Sequence, residues 1–251
     1  MIKILRKELF LMKLIIIRHG EPDNPNNTLT NHGFIEAKAL AKYLKDVKFD
    51  VCYTSPLPRA KLTSEEVLKP LNKEAIILPW LAEFSHYVDV PYKNEKQINW
   101  DFLPSFFTKN DDLYDNNKYL DTEVMKSGNV KKYYKEVIKG FDKLLEFHGY
   151  KRKGKAYKVI NSNKDTIVLF CHFGMMSVLM SRLMNVPYTV LAQHFICQPT
   201  GVTIFVTEER EKGIAQFRCL QYGSVTHLEM ENITPSFHGR FCETFDSDER
   251  H

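Results

Sequence analysis

Several features that would mark a specialised protein are scarce or absent. The 251-residue chain has five cysteines, Cys52, Cys171, Cys197, Cys219 and Cys242, and none forms a C-x-x-C pair. An odd, scattered set argues for reduced thiols in a cytoplasmic protein rather than a disulfide framework. There is no H-E-x-x-H run or comparable local pairing of metal ligands. No apolar stretch approaches membrane-spanning length, which argues against a membrane partner. Residues 1–14 mix Lys3, Arg6, Lys7 and Glu8 with aliphatics and lack a small-residue cleavage site. They read as a loose extension or an upstream misreading, with Met12 as an alternative start, rather than a signal peptide. A large excess of charge of one sign is also lacking. A formal net charge of +4, dispersed along the chain, gives no basis for nucleic-acid binding but is compatible with an anionic substrate. There are no repeats and no low-complexity tract.

What is present is ordinary for a globular protein: 43% hydrophobic and 26% charged residues, with length for one large α/β domain or two small ones. The run Lys13-Leu-Ile-Ile-Ile stops at Arg18-His19-Gly20-Glu21. It is too short for a globular helix and reads as a strand buried on both faces. Pro22 and the polar residues 23–27 then break regular structure. Residues 34–44 follow with Phe34, Ala37, Ala41 and Leu44 on one helical face, and Thr30 or Asn31 as the N-cap. Residues 49–53 read as a second strand ending at Thr54-Ser-Pro56. A helix starts at Pro58, where proline suits the first turn, and residues 75–78 make a third strand. This alternation predicts a parallel α/β sheet.

The pattern then fails over residues 84–129, which carry Pro91, Pro104 and many aromatics. A stretch this long is functional or wrongly assigned, and it is too aromatic for disorder. We read it as a cap of short helices over the strand ends, inserted in a single domain spanning residues 1–251. The alternative is a peripheral insertion with its own small core. Residues 130–148 restore helical periodicity. The basic stretch 150–158 reads as a solvated turn, with a charge-guarded edge strand at residues 156–160. Residues 166–171 form a second buried strand. It ends at His172-Phe-Gly174, before a helix at 175–184. Strands at 202–207 and 217–222 precede a polar tail. His194 is read as a packed helix-terminal histidine, with a place lining the pocket as the alternative.

Two histidines thus end buried strands, and in open α/β sheets ligands bind at those ends. Arg18 adjoins His19, and Arg59 sits in the first turn of the helix that leaves the second strand. Arginine matches phosphate with a planar fork of donors, and helix N-termini favour anions. Glu83 follows the third strand; a carboxyl group beside a phosphate pocket suits protonation of a leaving alkoxide.

Arg18-His19-Gly20-Glu21, Thr54-Ser-Pro-Leu-Pro-Arg59, Glu83 and Phe170-Cys-His172-Phe-Gly174, in this order, resemble the histidine phosphatase superfamily, which has the phosphoglycerate mutase-like fold. The spelling Arg-His-Gly-Glu-Pro-Asp resembles its branch 1. The resemblance covers residues 13 to about 228. It implies a three-layer α/β sandwich with a mostly parallel central sheet and helices on both faces. It implies that His19 is the nucleophile and becomes phosphohistidine. Arg18, Arg59 and His172 would bind the phosphoryl group and Glu83 would donate the proton, with no metal or other cofactor. The implied activity is phosphomonoester hydrolysis of a small phosphorylated metabolite, in a cytoplasmic enzyme for which a homodimer is compatible. There are departures. Pro22 stands where the family often has Thr or Ser, Pro25 where it has Asn, and Phe173 where it has the first of two glycines. Asn24 or Asn26 is the candidate substitute for the missing Asn. A phosphoglycerate-type mutase shares every one of these residues and is the enzymatic alternative. A non-catalytic phospho-ligand binder and a metallohydrolase using His19, His172, His194 and Glu83 are the alternatives of other classes.

Overall fold

A computed structural model describes residues 11–237 and 244–246. The extension before Leu11 and most of the polar tail, with His238 and Cys242, lie outside the described residues.

The strand Lys13–Arg18 (β1) lies within an eight-stranded sheet. Its other members are Val51–Thr54 (β2), Ile76–Ile77 (β3), Tyr150–Lys153 (β4), Ala156–Val159 (β5), Thr166–Cys171 (β6), Val202–Glu211 (β7) and Ile214–Ser224 (β8), in the order β3-β2-β6-β1-β7-β8-β5-β4. The pairs β1·β6, β6·β2 and β2·β3 are parallel, and β7, β8, β5 and β4 add as antiparallel neighbours. The sheet is therefore mixed, with parallel pairing where the two histidine-ended strands meet.

Helices cover both faces, and strand alternation explains how. Ile15 and Ile17 of β1 pack with Val168 and Phe170 of β6 against Leu40 and Leu44 of Asn31–Leu44 (α1) and Val67 of Pro58–Leu68 (α2). Leu14, Ile16, Ile167 and Leu169 face the other way, toward Val130–Phe147 (α3) and Phe173–Met184 (α4). Successive side chains on a strand point to opposite faces, so a strand sandwiched between helices needs an unbroken apolar run.

Local signals behave as expected at the helix starts. The Thr30 hydroxyl caps α1 by accepting the Gly33 N–H at 2.9 Å, and Pro58 opens α2. The third strand is shorter than its pattern predicts. Only Ile76 and Ile77 pair with β2, and both are exposed at the sheet edge. The basic stretch 150–158 forms the β4–β5 hairpin at the opposite edge, turning at Gly154 with φ +60°.

Residues 84–129 form short helical turns and a two-residue ribbon, Tyr87–Val88 with Gln97–Ile98. Trp100, Phe102, Phe107 and Tyr119 of this stretch belong to the same apolar cluster as the α3 and α4 face of the sheet. The insertion therefore has no core separate from that face. A further helix, Tyr188–His194 (α5), packs beside α4.

Candidate active site

Strand register builds the site. Ile17 pairs with Phe170 and Arg18 with Cys171, so His19 and His172 are the next residues beyond neighbouring parallel strands. The His19 N–H donates to the Cys171 carbonyl at 3.0 Å. The two rings lie with centroids 5.0 Å apart, and both are buried.

Each polar group of His19 has a definite partner. Its Nδ1 lies 2.7 Å from the Gly20 carbonyl. A carbonyl only accepts, so Nδ1 carries the hydrogen and Nε2 presents the lone pair. The Arg59 Nε–H donates to that Nε2 at 3.1 Å. Burial pushes the His19 imidazole well below its ordinary range, and His172, Arg18 and Arg59 push it the same way. The ring is therefore neutral, as a nucleophile must be.

His172 is the N-cap of α4. Its Nε2 is 2.6 Å from the Ser55 hydroxyl, which itself accepts the Leu57 N–H. Burial lowers its pKa strongly, aided by Arg59 and Arg18. Arg18 donates from NH1 to the Cys197 carbonyl at 2.6 Å, with its guanidinium 5.8 Å from the Phe173 ring centre. Arg18 Nε and His172 Nδ1 are buried without a hydrogen-bond partner among the described residues. A buried donor left without a partner costs about 1–3 kcal/mol, and an oxyanion is the kind of acceptor a guanidinium N–H takes.

Glu83 closes the cluster. Its Oε1 accepts the N–H groups of Phe84 at 2.7 Å and Met175 at 3.0 Å. Burial raises its pKa, while Arg59, these two N–H groups and Arg18 oppose the rise. Two glycines hold the backbone close. A Cβ on Gly20 would stand 2.7 Å from the Gly33 carbonyl oxygen, and one on Gly174 would meet the Trp100 indole and lie 2.9 Å from Glu83 Oε1.

The buried His19, His172 and Arg18 thus cluster with the part-buried Arg59, and Glu83 interacts electrostatically with both arginines. Asn24 is not brought in: it is exposed in a turn, where its carbonyl accepts the Asn27 N–H. His194 is exposed at the end of α5, its ring against Phe107. Several members escape sequence reasoning. Ser55 positions His172, and its only signal is its place after β2, level with the end of β6. The Thr63 hydroxyl accepts the Gly20 N–H at 3.0 Å. The Cys197 carbonyl is backbone and leaves no signal in the letters.

Residues 14–124 match the sequence profile of the histidine phosphatase superfamily (branch 1). The chain is 35% identical over 85 residues to phosphoserine phosphatase 1 of Hydrogenobacter thermophilus, covering 30% of this chain and 40% of that protein. It is 35% identical over 99 residues to the 2,3-bisphosphoglycerate-dependent phosphoglycerate mutase of Bartonella henselae, covering 34% and 48%. The matched stretch spans less than half the length of each of these relatives. Among solved structures, phosphoserine phosphatase of Entamoeba histolytica in complex with 3-phosphoglyceric acid superposes with a TM-score of 0.56 at 19% identity, over 86% of this chain and 99% of that one. The fold is that of the phosphoglycerate mutase-like phosphatases, a mixed central sheet, parallel where the two histidine-ended strands meet, with helices on both faces.

Proposed function

We propose that this chain is a branch 1 histidine phosphatase that hydrolyses a small phosphomonoester through a phosphohistidine on His19. The observation that carries the reading is the placing of the His19 ring, with Nδ1 on the Gly20 carbonyl, Nε2 accepting the Arg59 Nε–H, and its centroid 5.0 Å from that of His172. A phosphoryl group entering this cluster takes the Arg59 N–H onto an oxygen and leaves the lone pair facing phosphorus. Arg18 and His172 supply further donors to the equatorial oxygens, so the developing charge is met by fixed dipoles and cations. The His19 N–P bond forms as the P–O bond to the alcohol breaks, and protonated Glu83 gives its proton to the departing oxygen. Glu83, now a carboxylate, takes a proton from water as that water attacks phosphorus. The N–P bond then breaks, releasing phosphate and neutral His19.

On this reading the charge is supplied by arginine and imidazole, and residues 84–129 cap the strand ends. His19→Ala is expected to abolish turnover of p-nitrophenyl phosphate in chelator-treated buffer. Appreciable residual activity would reject the nucleophile.

A further inference from the structure

Only one placement of hydrogens satisfies Ser55 and the second histidine together. Ser55 is fully buried, just beyond the end of β2. Its hydroxyl accepts the Leu57 N–H at 3.2 Å and stands 2.6 Å from His172 Nε2. A hydroxyl carries one hydrogen of its own and can accept two. The Leu57 N–H only donates, so the serine hydrogen must go elsewhere, and His172 Nε2 is the one acceptor this hydroxyl meets among the described residues. Nε2 therefore holds its lone pair. Burial, with Arg59 and Arg18 acting the same way, keeps the ring neutral, and a neutral imidazole with a bare Nε2 carries its hydrogen on Nδ1. The reverse tautomer would make Ser55 accept twice and leave its own buried O–H unpaired, which tilts the balance by roughly tenfold.

The helix that begins at His172 agrees. An N-cap side chain with a lone pair takes a free N–H of the first turn, yet the His172 side chain, at the N-cap of α4, takes none. The Met175 N–H goes to Glu83 Oε1 instead. Nδ1 is thus buried without a partner among the described residues, on a ring whose centre is 5.0 Å from that of His19. We infer that Ser55 is a positioning residue that sets the tautomer of His172, so that Nδ1–H is presented as a hydrogen-bond donor to a phosphoryl oxygen. This rests on the phosphatase reading above for the anion it serves. In the opposite tautomer Nδ1 would turn a lone pair toward that oxygen and repel it. The two histidines carry their hydrogens on the same ring atom for opposite purposes. On His19 the Gly20 carbonyl takes up Nδ1–H and leaves the Nε2 lone pair. On His172 the Ser55 hydroxyl takes up the Nε2 lone pair and leaves Nδ1–H.

The test reads the tautomer directly. In long-range ¹H–¹⁵N correlation spectra a protonated ring nitrogen resonates well upfield of an unprotonated one, and the His172 ring is identified by its loss in His172→Asn. The parent protein is expected to show a protonated Nδ1 and an unprotonated Nε2, and saturating inorganic phosphate should shift the Nδ1 signal. Ser55→Ala removes the hydroxyl, so its His172 should show a mixed or reversed tautomer. Its Kd for phosphate should rise, and its kcat/KM for p-nitrophenyl phosphate fall, by about tenfold or more, short of the roughly hundredfold or more for losing an oxyanion donor outright. A protonated Nε2 in the parent, an Nδ1 signal unmoved by saturating phosphate, or a Ser55→Ala protein with the parent's tautomer and phosphate affinity would each overturn the inference. The parent spectrum decides even where Ser55→Ala does not fold. A parent with the expected tautomer and phosphate response that fails to hydrolyse p-nitrophenyl phosphate would defeat the phosphatase reading alone, because donor and anion are observed without turnover.

Discussion

At His19 the controlling detail is which nitrogen holds the hydrogen, and the neighbouring carbonyl decides it. The Gly20 C=O fixes the proton on Nδ1 and leaves Nε2 for phosphorus. Glu83 is the complementary case, a carboxyl group that burial keeps protonated to higher pH than usual. Glu83→Gln is therefore expected to slow alkyl phosphates far more than p-nitrophenyl phosphate, whose leaving group scarcely needs a proton; equal losses would remove the acid role. The pH dependence has the same origin. The acid form of Glu83 is lost as pH rises through its elevated pKa, so kcat for an alkyl ester should fall on the alkaline side. His19, held well below 6.5, stays unprotonated across that range, which puts the acid limb well under pH 6.5. Glu83→Gln should erase the alkaline limb. Gly174→Ala offers a third check, since its methyl group would press on Trp100 and stand 2.9 Å from Glu83 Oε1. It should mimic the Glu83→Gln selectivity without removing the acid. At this scale the histidines and arginines that the structure brings together were legible, because residue type and strand-end position both pointed to phosphate, whereas Glu83 stood out only through its order in the family resemblance. Ser55 was not, because a serine after a strand is common and its role depends on the neighbouring strand's register.

Among the elements, the loop between α5 and β7 restrains the site from behind. The Thr200 N–H donates to the His19 carbonyl at 3.1 Å, and Thr200 adopts φ +56°, a left-handed conformation that β-branched residues avoid. Its hydroxyl is 2.8 Å from His227 Nε2, in a buried contact beside the Tyr43 ring. Burial lowers the His227 pKa to about 3, and its Nδ1 has no hydrogen-bond partner among the described residues. The unfolded chain, with a histidine near 6.5, binds the proton first. The stability present above pH 6.5 should therefore drain away as pH falls toward about 3, by up to about 1.4 kcal/mol per pH unit. Urea unfolding of His227→Asn should show a correspondingly flatter profile between those limits; a slope matching the parent would place the acid sensitivity elsewhere. The β1–loop–α1 crossing makes a different demand. Gly20→Ala drives a methyl group against the Gly33 carbonyl, and overpacking of this kind costs about 1–3 kcal/mol, measurable as a lowered urea midpoint. Strands buried on both faces and capped helices could be read from the letters because their periodicities are strong. The third strand could not be bounded, since two exposed isoleucines at a sheet edge carry no alternation.

For the molecule as a whole, two strand–histidine units far apart in sequence become neighbours because β6 pairs directly with β1. The letters supplied both units but not their adjacency, which depends on the order of strands in the sheet. Residues 84–129 were the least legible part. Their aromatics have no helical or strand period, and they pack by joining the α3–α4 face of the core rather than by forming elements of their own. Asn24, chosen by proximity to the nucleophile, lies out in solvent for a related reason. The turn after β1 is tied down by Glu21, whose carboxylate accepts the Thr30 hydroxyl proton at 2.6 Å, and by the Asp23–Asn26 contacts, leaving Asn24 at the surface. Covalent chemistry at the His19 ring is the central claim. Its most direct test is to mix the protein with a ³²P-labelled phosphomonoester, quench with alkali and locate the label. The expected result is an acid-labile, alkali-stable phosphoramidate on the peptide containing His19, absent from His19→Ala. Full turnover with no such species at early times, or the same label retained in His19→Ala, would contradict it.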